Sequence, residues 1–210
     1  MFRKSFYRAA MIGVALIASS AAGAACPDGV PTGFKCRGND TLVHEASGTV
    51  FPKELAGFTR FYEQPFDLTG HDVTIAYGRD LNGTPIIARV ALIHIEAMTP
   101  KEHYLGMKSL IGNYFGALKF SDLKPAGEGP FDPPGMKPGS GYQGRFSAIA
   151  EGVPYELSLS TVSFGYWSAR LTAAYPSEGA PKTRASILEF ARKLQKTGPA
   201  KALKVKAKKK

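Results

Sequence analysis

The sequence predicts an α+β fold in which a mainly antiparallel sheet is covered by two helices. Three observations support this class: runs in which apolar and polar residues alternate, Asn-Gly and Glu-Gly steps between such runs, and two segments of helical period. Helices that lie on an antiparallel sheet form an α+β sandwich. The body of the chain, residues 26–200, is long enough for one domain with a sizeable core.

The strands are predicted from the alternating runs. Residues 72–78 place Val73, Ile75 and Tyr77 on one face, as a half-buried strand does. The Asn82-Gly83 step after this run predicts a tight hairpin to the next one. A Glu-Gly step at residues 151–152 predicts a second hairpin. The segments assigned to strands are 72–78, the run from Thr84, 144–150, 154–164 and 169–175.

Two helices are predicted from apolar residues at helical spacing. The first covers residues 99–120, with Thr99 as N-cap, Pro100 at the first helical position and Glu102 completing a capping box. The second begins near Pro181. We expect both apolar stripes to pack on the sheet, because a helix usually buries such a face. The first stripe is Tyr104, Met107, Leu110, Ile111, Tyr114, Phe115 and Leu118, and the second is Ile187, Leu188, Phe190, Ala191 and Leu194.

The order of elements, with the segment VFPKELAGFTRFY at residues 50–62, resembles the fold shared by the PsbP, Mog1 and DcrB families of small α/β/α proteins. The chain is also similar to uncharacterised exported proteins of proteobacteria that begin with a Phe-Pro-x-x-Leu-x-Gly-Phe segment. The resemblance spans about residues 47–196. It implies a PsbP/Mog1-like sandwich and an accessory or binding role without shared catalytic residues, so it transfers no functional residue. The matching positions are Phe51, Pro52, Leu55, Gly57 and Phe58.

The first 25 residues have the three parts of a secretory signal peptide: a basic start, an apolar run over residues 11–22 and small residues at the cleavage point. The apolar run is shorter than the roughly 20 residues that a transmembrane helix needs. We therefore expect a periplasmic or secreted bacterial protein without a transmembrane segment in its mature chain. The predicted organisation is a signal peptide at 1–25, a Cys-containing N-terminal segment at 26–46, a single α+β domain at 47–196 and a disordered Lys-rich tail at 197–210.

Both cysteines lie just after the predicted cleavage point, at Cys26 and Cys36. An even number of cysteines in an oxidising compartment favours a disulfide, and the prolines and glycines between them allow the chain to turn back. In the chain-entropy model such a bridge contributes roughly 2.5 to 3 kcal/mol. The alternative is a lipoprotein acylated on Cys26. Gly23 stands where lipoprotein signals normally carry a Leu-like residue, which favours the disulfide.

The formal charge of +10 lies at the two ends of the chain. The signal peptide and the tail hold nine of the 27 basic residues, so the body is nearly neutral against 17 acidic residues. Together with export, this argues against a nucleic-acid partner. The tail is either a contact for an anionic surface or a solubilising end without a partner. Its lysines are Lys201, Lys204, Lys206, Lys208, Lys209 and Lys210.

Residues 124–142 form the most unusual segment of the body, since prolines and glycines punctuate it throughout. We expect a loop without regular structure, acting either as a flexible connector or as a contact surface. Its apolar residues Phe131, Met136 and Tyr142 are candidate contacts for a ligand or partner. Tyr166 and Trp167, near a predicted turn, are further candidates, with burial in the core as the alternative for the tryptophan.

Candidate catalytic and cofactor residues are sparse. His94 and Glu96 would share a face if one strand carries both, which is the arrangement of a general base with its orienting carboxylate. The Gly139-Ser-Gly-Tyr-Gln-Gly144 segment matches a dinucleotide motif, but strand-like residues follow where a helix is needed. The histidines are scattered along the sequence. We therefore expect no cofactor, no metal site and no catalytic residue.

Three classes of function remain. The favoured one is a non-enzymatic periplasmic accessory or binding protein that acts on another envelope component, either a protein or an anionic polymer or lipid surface. The second is a carrier or sensor of a small apolar ligand held between helix and sheet, in a cavity lined by Tyr104, Phe115 and Trp167. The third is a hydrolase that uses His94 and Glu96.

Overall fold

The computed structural model describes residues 26, 29–38, 40–95, 97–116, 118–133 and 136–197, without the side chains of residues 196 and 197. The predicted signal peptide and the predicted tail beyond residue 197 lie outside the described residues. Residue 197 itself is the last residue of the second helix.

Two antiparallel sheets and two α-helices make up the described part of the chain, which confirms the predicted α+β class. The small sheet has the order β1-β2-β3, and the large one has the order β4-β5-β6-β7-β11-β10-β9-β8. The strands are β1 Phe34–Cys36, β2 Leu42–His44, β3 Val50–Phe51, β4 Glu54–Leu55, β5 Phe58–Pro65, β6 Asp72–Leu81, β7 Thr84–His94, β8 Ser121–Phe131, β9 Gly141–Ala150, β10 Val153–Ser163 and β11 Trp167–Pro176. The helices are α1 Pro100–Lys108 and α2 Ala180–Thr197, and a 3₁₀ turn spans Ile111–Asn113.

Both predicted hairpins are confirmed. Asn82 and Gly83 have φ angles of 55° and 82° and join β6 to β7, while Glu151 and Gly152 have φ angles of 51° and 77° and join β9 to β10. Positive φ at both central residues is the geometry that matches the twist of the flanking strands. The Asp80 carboxylate also accepts a hydrogen bond from the Gly83 backbone N–H at 2.7 Å.

Helix α1 starts as predicted and ends early. The hydroxyl of Thr99 accepts from the backbone N–H of Glu102, and the Glu102 carboxylate accepts from the backbone N–H of Thr99. The helix stops at Lys108, so the predicted extent to residue 120 is wrong. Two glycines lie in the following segment, and glycine has low helix propensity. One of them, Gly116, has a φ of 67°, which an α-helix cannot contain.

The large sheet has two faces with separate cores. Helix α1 and residues 109–116 and 118–120 cover face 1 over β7, β11, β10 and β9. Helix α2 and the small sheet cover face 2 over β5, β6, β7 and β11. The buried cluster on face 1 contains Tyr104, Ile111, Phe115, Phe146, Ala148, Leu157, Leu159 and Ala174. The larger cluster on face 2 includes Phe34, Phe51, Phe58, Ile75, Tyr77, Val90, Leu92, Tyr175, Ile187 and Phe190.

Each predicted stripe contains one residue that the structure leaves exposed. Leu110 is 43% exposed, because the helical period ends before it. Leu188 is 61% exposed, although its neighbours on α2 pack on face 2. No helix in the described part of the chain is long and apolar enough to cross a membrane.

The expectation of an irregular loop at residues 124–142 is wrong for its first part. Residues 121–131 form β8, the last strand of the large sheet. An edge strand tolerates Pro125 and Pro130, because it pairs on one side only and half of its N–H groups face away from its neighbour. Two register shifts against β9, before Lys124 and after Pro125, accommodate the remaining irregularity.

The predicted disulfide between Cys26 and Cys36 is present. Both sulfur atoms are used in the bridge. Cys26 packs against the face 2 cluster, which also contains Phe34 and Leu42 of the N-terminal segment. The small sheet is thereby part of the same core as the large one.

Candidate functional site

An apolar groove lies on face 2, between α2 and strands β9 to β11. Its cavity volume is about 270 Å³, close to the lower end of the roughly 300 to 1,000 Å³ of ligand pockets. We call it the α2 groove. Its wall is formed by Ile187, Leu188, Ala191 and Leu194 of α2, its floor by Ser158, Ser160, Val162, Ala169 and Leu171, and its rim by Phe131 and Phe164.

The groove exists because β10 carries small residues on this face. Along β10, Leu157 and Leu159 point to face 1 and are fully buried, while Ser158 and Ser160 point to face 2. A serine side chain leaves space where a larger apolar residue would fill the gap below α2. Leu188 is part of the groove wall, which accounts for its exposure on an otherwise packed helix.

One end of the α2 groove is charged. The guanidinium of Arg184 donates two parallel hydrogen bonds to the carboxylate of Glu156, at 2.8 and 2.7 Å, and the Tyr175 hydroxyl donates a third. Arg145 lies 4.0 Å from the same carboxylate. Burial works to raise the pKa of Glu156, but the hydrogen bonds from Arg184 and Tyr175 and the charges of both arginines outweigh it. The pKa of Glu156 therefore lies below its usual range.

The opposite end of the groove is aromatic and apolar. The Phe131 ring lies over Gly141, where an added Cβ would come within 2.6 Å of it. Phe164 and Leu194 line the same end. The side-chain oxygen of Gln195 also belongs to the lining, and it is buried without a hydrogen-bond partner among the described residues.

A second cluster gathers three histidines around Trp167. The rings of His44 and His94 meet the indole edge-on at centroid distances of 5.2 and 5.1 Å, and His71 lies 6.1 Å away. His94 is stacked between His71 and Tyr166, at 5.0 and 6.3 Å. No group of three or more His, Cys, Asp or Glu side chains that could hold a metal occurs among the described residues.

His44 is held as a structural histidine within this cluster. Its ring nitrogens lie 2.7 Å from the Ser47 hydroxyl and 2.6 Å from the Gly70 carbonyl oxygen. Burial lowers the pKa of His44 and outweighs the opposing effect of the Gly70 hydrogen bond. A buried neutral imidazole with both nitrogens occupied is suited to holding the loop at residues 66–71 in place.

The predicted contact residues do not form one surface. Phe131 lines the α2 groove on face 2, whereas Tyr142 packs on Tyr104 on face 1, at 4.9 Å between ring centroids. Tyr166 is 47% exposed and lies on the histidine stack. Trp167 is buried in the core, which was the alternative predicted for it from the sequence. Met136 is half-buried in the segment after β8.

Two other predicted sites have different outcomes. The cavity expected between Tyr104, Phe115 and Trp167 is a wrong prediction, because the first two are buried in the face 1 cluster and the third in the face 2 cluster. The pair of His94 and Glu96 stays a prediction, since Glu96 lies outside the described residues. Strand β7 ends at His94.

Sequence reasoning missed the α2 groove and its charged residues Arg145, Glu156 and Arg184. The available signal was on β10, where one side is made of leucines and the other of serines. That pattern is typical of a strand with one solvated face, so it did not indicate that a helix lies above the serines. The ion pair joins α2 to β10 across 28 residues, and no local pattern predicts it.

No protein-family model and no curated protein matches the sequence. Among solved structures the chain is similar to a mutant of the protein Mog1, with 10% identity over 65% of this chain and 93% of that chain and a TM-score of 0.32. A second similar structure is the Saccharomyces cerevisiae Ran-binding protein Mog1p, with 10% identity, 67% and 93% coverage and a TM-score of 0.28. Similarity at this level carries no argument about what the chain binds.

Proposed function

We propose that the protein is a non-enzymatic binding protein of the bacterial cell envelope that holds a small apolar ligand in the α2 groove. The open apolar groove between α2 and the sheet is the observation that supports this proposal. It favours the carrier among the classes that the sequence allows, with a different cavity from the one predicted.

The residues that line the groove explain how it would bind an apolar ligand. Leu188 presents an exposed apolar side chain at the mouth, and Val162 and Leu171 offer apolar floor beneath it. A ligand that covers them removes apolar surface from water, at about 25 cal/mol for each Å². Each buried methylene group then contributes about 0.8 kcal/mol, which is about fourfold in affinity.

A chain-length series tests the proposal. Displacement of a fluorescent apolar dye by hexanol, octanol and decanol should show affinity rising about fourfold for each methylene until the groove is full. A Ser160→Phe variant fills the groove and should abolish binding. Ser147→Phe is the matched control, because Ser147 is exposed on the same face outside the groove lining. Equal binding by the two variants would refute the site.

We also propose that the protein is exported and cleaved before Cys26. The disulfide supports this, because disulfides persist in oxidising compartments such as the periplasm. The test is the intact mass of the protein recovered from the periplasmic fraction of a bacterial host. A chain that begins at Cys26 and gains two alkyl groups only after reduction is the expected result. A chain that keeps residues 1–25 would contradict it.

The Lys-rich tail is proposed to hold the protein at an anionic lipid surface. Helix α2 returns along β11, so it ends near the loop end of the sheet, where β5, β7 and β10 finish. Phe66 and Leu68 are 59% and 93% exposed in the loop after β5 at this end. The tail follows α2 in the sequence, and lysines combined with exposed apolar side chains are suited to an anionic membrane surface.

Vesicle binding tests the tail. The protein should bind vesicles made of equal parts phosphatidylglycerol and phosphatidylcholine at least about tenfold more tightly than pure phosphatidylcholine vesicles, and high salt should weaken this. Replacement of the six tail lysines by glutamine should remove the difference. If the glutamine variant binds as the native chain does, the tail is not the tether.

A further inference from the structure

We propose that the ligand of the α2 groove is a straight-chain carboxylic acid whose carboxylate binds the guanidinium group of Arg145 while its hydrocarbon chain lies along α2. This inference rests on the proposed binding function and goes beyond it by naming the head group and the orientation of the ligand.

The first step is the distribution of charge at the groove end. Arg145 and Arg184 bring two positive charges to one carboxylate, that of Glu156. The third arginine in the lining, Arg170, directs its guanidinium to face 1, where it contacts Tyr114 and Met107. The charged side chains at this end of the groove therefore carry one net positive charge, and an anionic head group would neutralise it.

The second step is that the two arginines contact Glu156 differently. Arg184 forms a bidentate pair with Glu156, and the Tyr175 hydroxyl donates to one of the same oxygens. Arg145 lies 4.0 Å from Glu156, beyond hydrogen-bond distance, so its attraction to that carboxylate is electrostatic only. Its planar set of N–H donors is available for a second carboxylate. Arginine binds carboxylates through two parallel hydrogen bonds, which a hydroxyl group cannot match.

The third step is the direction of the chain. Arg184 and Leu194 lie ten positions apart on α2, about 15 Å along the helix axis at 1.5 Å per residue. Ile187, Leu188 and Ala191 lie between them and line the groove. A ligand with its head at Arg145 would extend its chain past these side chains toward the aromatic end at Phe131 and Phe164. A cationic head group in the same place would face two guanidinium groups.

The experiment compares three ten-carbon probes that differ in head charge: decanoate, decanol and decylammonium. Binding to the full chain is measured by calorimetry at neutral pH, below the aggregation concentration of each probe. We expect decanoate to bind about tenfold more tightly than decanol, since a hydrogen bond to a charged group contributes about 1.5 kcal/mol or more. Decylammonium should bind most weakly.

An Arg145→Gln variant should lower decanoate affinity about tenfold, to about the level of decanol, and should lower decanol affinity much less. Arg145→Lys keeps the charge without the planar fork and should give an intermediate value. Arg192→Gln is the matched control, because Arg192 is an exposed arginine of α2 outside the groove lining. The side chain of Arg145 is 47% exposed, so its replacement should leave the fold intact.

The outcomes separate the two proposals. If decanol and decanoate bind equally well to the native chain, or if Arg145→Gln and Arg192→Gln have the same effect, the carboxylate inference is refuted while the apolar groove stands. If none of the three probes binds, the proposed function fails, and the inference fails with it.

Discussion

At the scale of single residues, two buried histidines make the stability of this protein depend on pH. His103 on α1 is 3% exposed, with its Nδ1 atom 2.6 Å from the Ser168 hydroxyl and its Nε2 atom buried without a partner among the described residues. Burial and, to a lesser extent, the charge of Arg170 lower the pKa of His103 to about 4. The pKa of His44 is lowered as well, mainly by burial.

We predict that the free energy of unfolding decreases as the pH falls from 7 to 5. An unfolded histidine takes up its proton near pH 6.5, whereas folded His103 stays neutral until about pH 4. In this window the unfolded state binds more protons, so stability drops by up to about 1.4 kcal/mol per pH unit for each such histidine. Urea unfolding at several pH values measures the slope.

A His103→Gln variant should have a clearly shallower slope over the same pH range. The glutamine amide can still hydrogen-bond to Ser168 but does not titrate. Lys101→Gln, an exposed change on the same helix, should keep the native slope. Because the comparison uses slopes, a lower absolute stability of the His103 variant does not affect it. Equal slopes for the native chain and His103→Gln would mean that His103 titrates normally in the folded protein.

At the scale of elements, the absence of a side chain at Gly144 allows α1 to pack closely on β9. Gly144 lies under α1, where a Cβ would come within 1.9 Å of the Tyr104 hydroxyl oxygen and 2.7 Å of the adjacent ring carbon. Tyr104 is fully buried and donates a hydrogen bond to Glu128 of β8 at 2.9 Å. One missing side chain therefore allows α1, β9 and β8 to meet.

We predict that Gly144→Ala destabilises the protein by about 1 to 3 kcal/mol, the usual range for overpacking a core. Gly129→Ala on the neighbouring strand is the control: nothing lies within 4 Å of its added Cβ, so we expect a change within about 0.5 kcal/mol. Urea unfolding of both variants gives the comparison. Adding Tyr104→Phe to Gly144→Ala should recover part of the loss, because it removes the nearest atom and leaves the ring carbon. Similar stability for the two alanine variants would show that α1 shifts at no cost.

The capping box of α1 also contributes to stability, and we expect its removal to cost less than overpacking at Gly144. Thr99→Ala removes the acceptor for the Glu102 backbone N–H, and we predict a loss of about 1 kcal/mol in the free energy of unfolding. Ser109→Ala at the other end of the helix should have almost no effect, because Ser109 caps the helix through its backbone N–H. Thermal or urea unfolding resolves the difference. A loss at Thr99 no larger than at Ser109 would mean that the cap does not contribute.

Elements that depend on neighbouring residues were predictable from the sequence, and elements that depend on distant ones were not. Asn82-Gly83 and Thr99 act within a few residues, and both predictions are confirmed. Residues 124–131 were predicted to belong to a loop, because their prolines and glycines argue against regular structure, and only the sheet order shows that they lie in an edge strand. In the same way, Ser158 and Ser160 read as a solvated face until α2 is placed above them.

At the scale of the whole molecule, the two faces of the large sheet are covered to different extents. Face 1 is covered by α1 and residues 109–116 and 118–120 over β9 and β10, and it buries Phe146 and Leu157. On face 2, α2 packs on β11, β3 and β4, and it meets β10 at the Arg184–Glu156 ion pair, which leaves a gap over Ser158 and Ser160. The α2 groove results from this unequal cover. Local sequence patterns do not indicate which helix lies on which face of the sheet. The groove could therefore not be located without the three-dimensional arrangement.

At the scale of the whole molecule, the Cys26–Cys36 disulfide also ties the N-terminal segment to the face 2 core. Cys26 packs against the buried cluster, and Cys36 ends β1, which pairs with β2. The sequence separation of 10 between the cysteines gives a predicted loss of about 2.5 to 3 kcal/mol in the free energy of unfolding when the bridge is reduced. Urea unfolding with and without reductant measures this loss.

A variant with serine at both cysteine positions should match the reduced native chain and should not respond to reductant. Neither cysteine belongs to the groove lining, and β1 and β2 do not contribute to it either. We therefore expect decanol to bind the folded serine variant with the affinity of the native chain. A loss of binding at a temperature where the variant is folded would mean that the bridge also positions α2 over β10. A change in unfolding free energy below about 1 kcal/mol would contradict the predicted loss, because a segment that stays ordered without the bridge still loses the full entropic contribution.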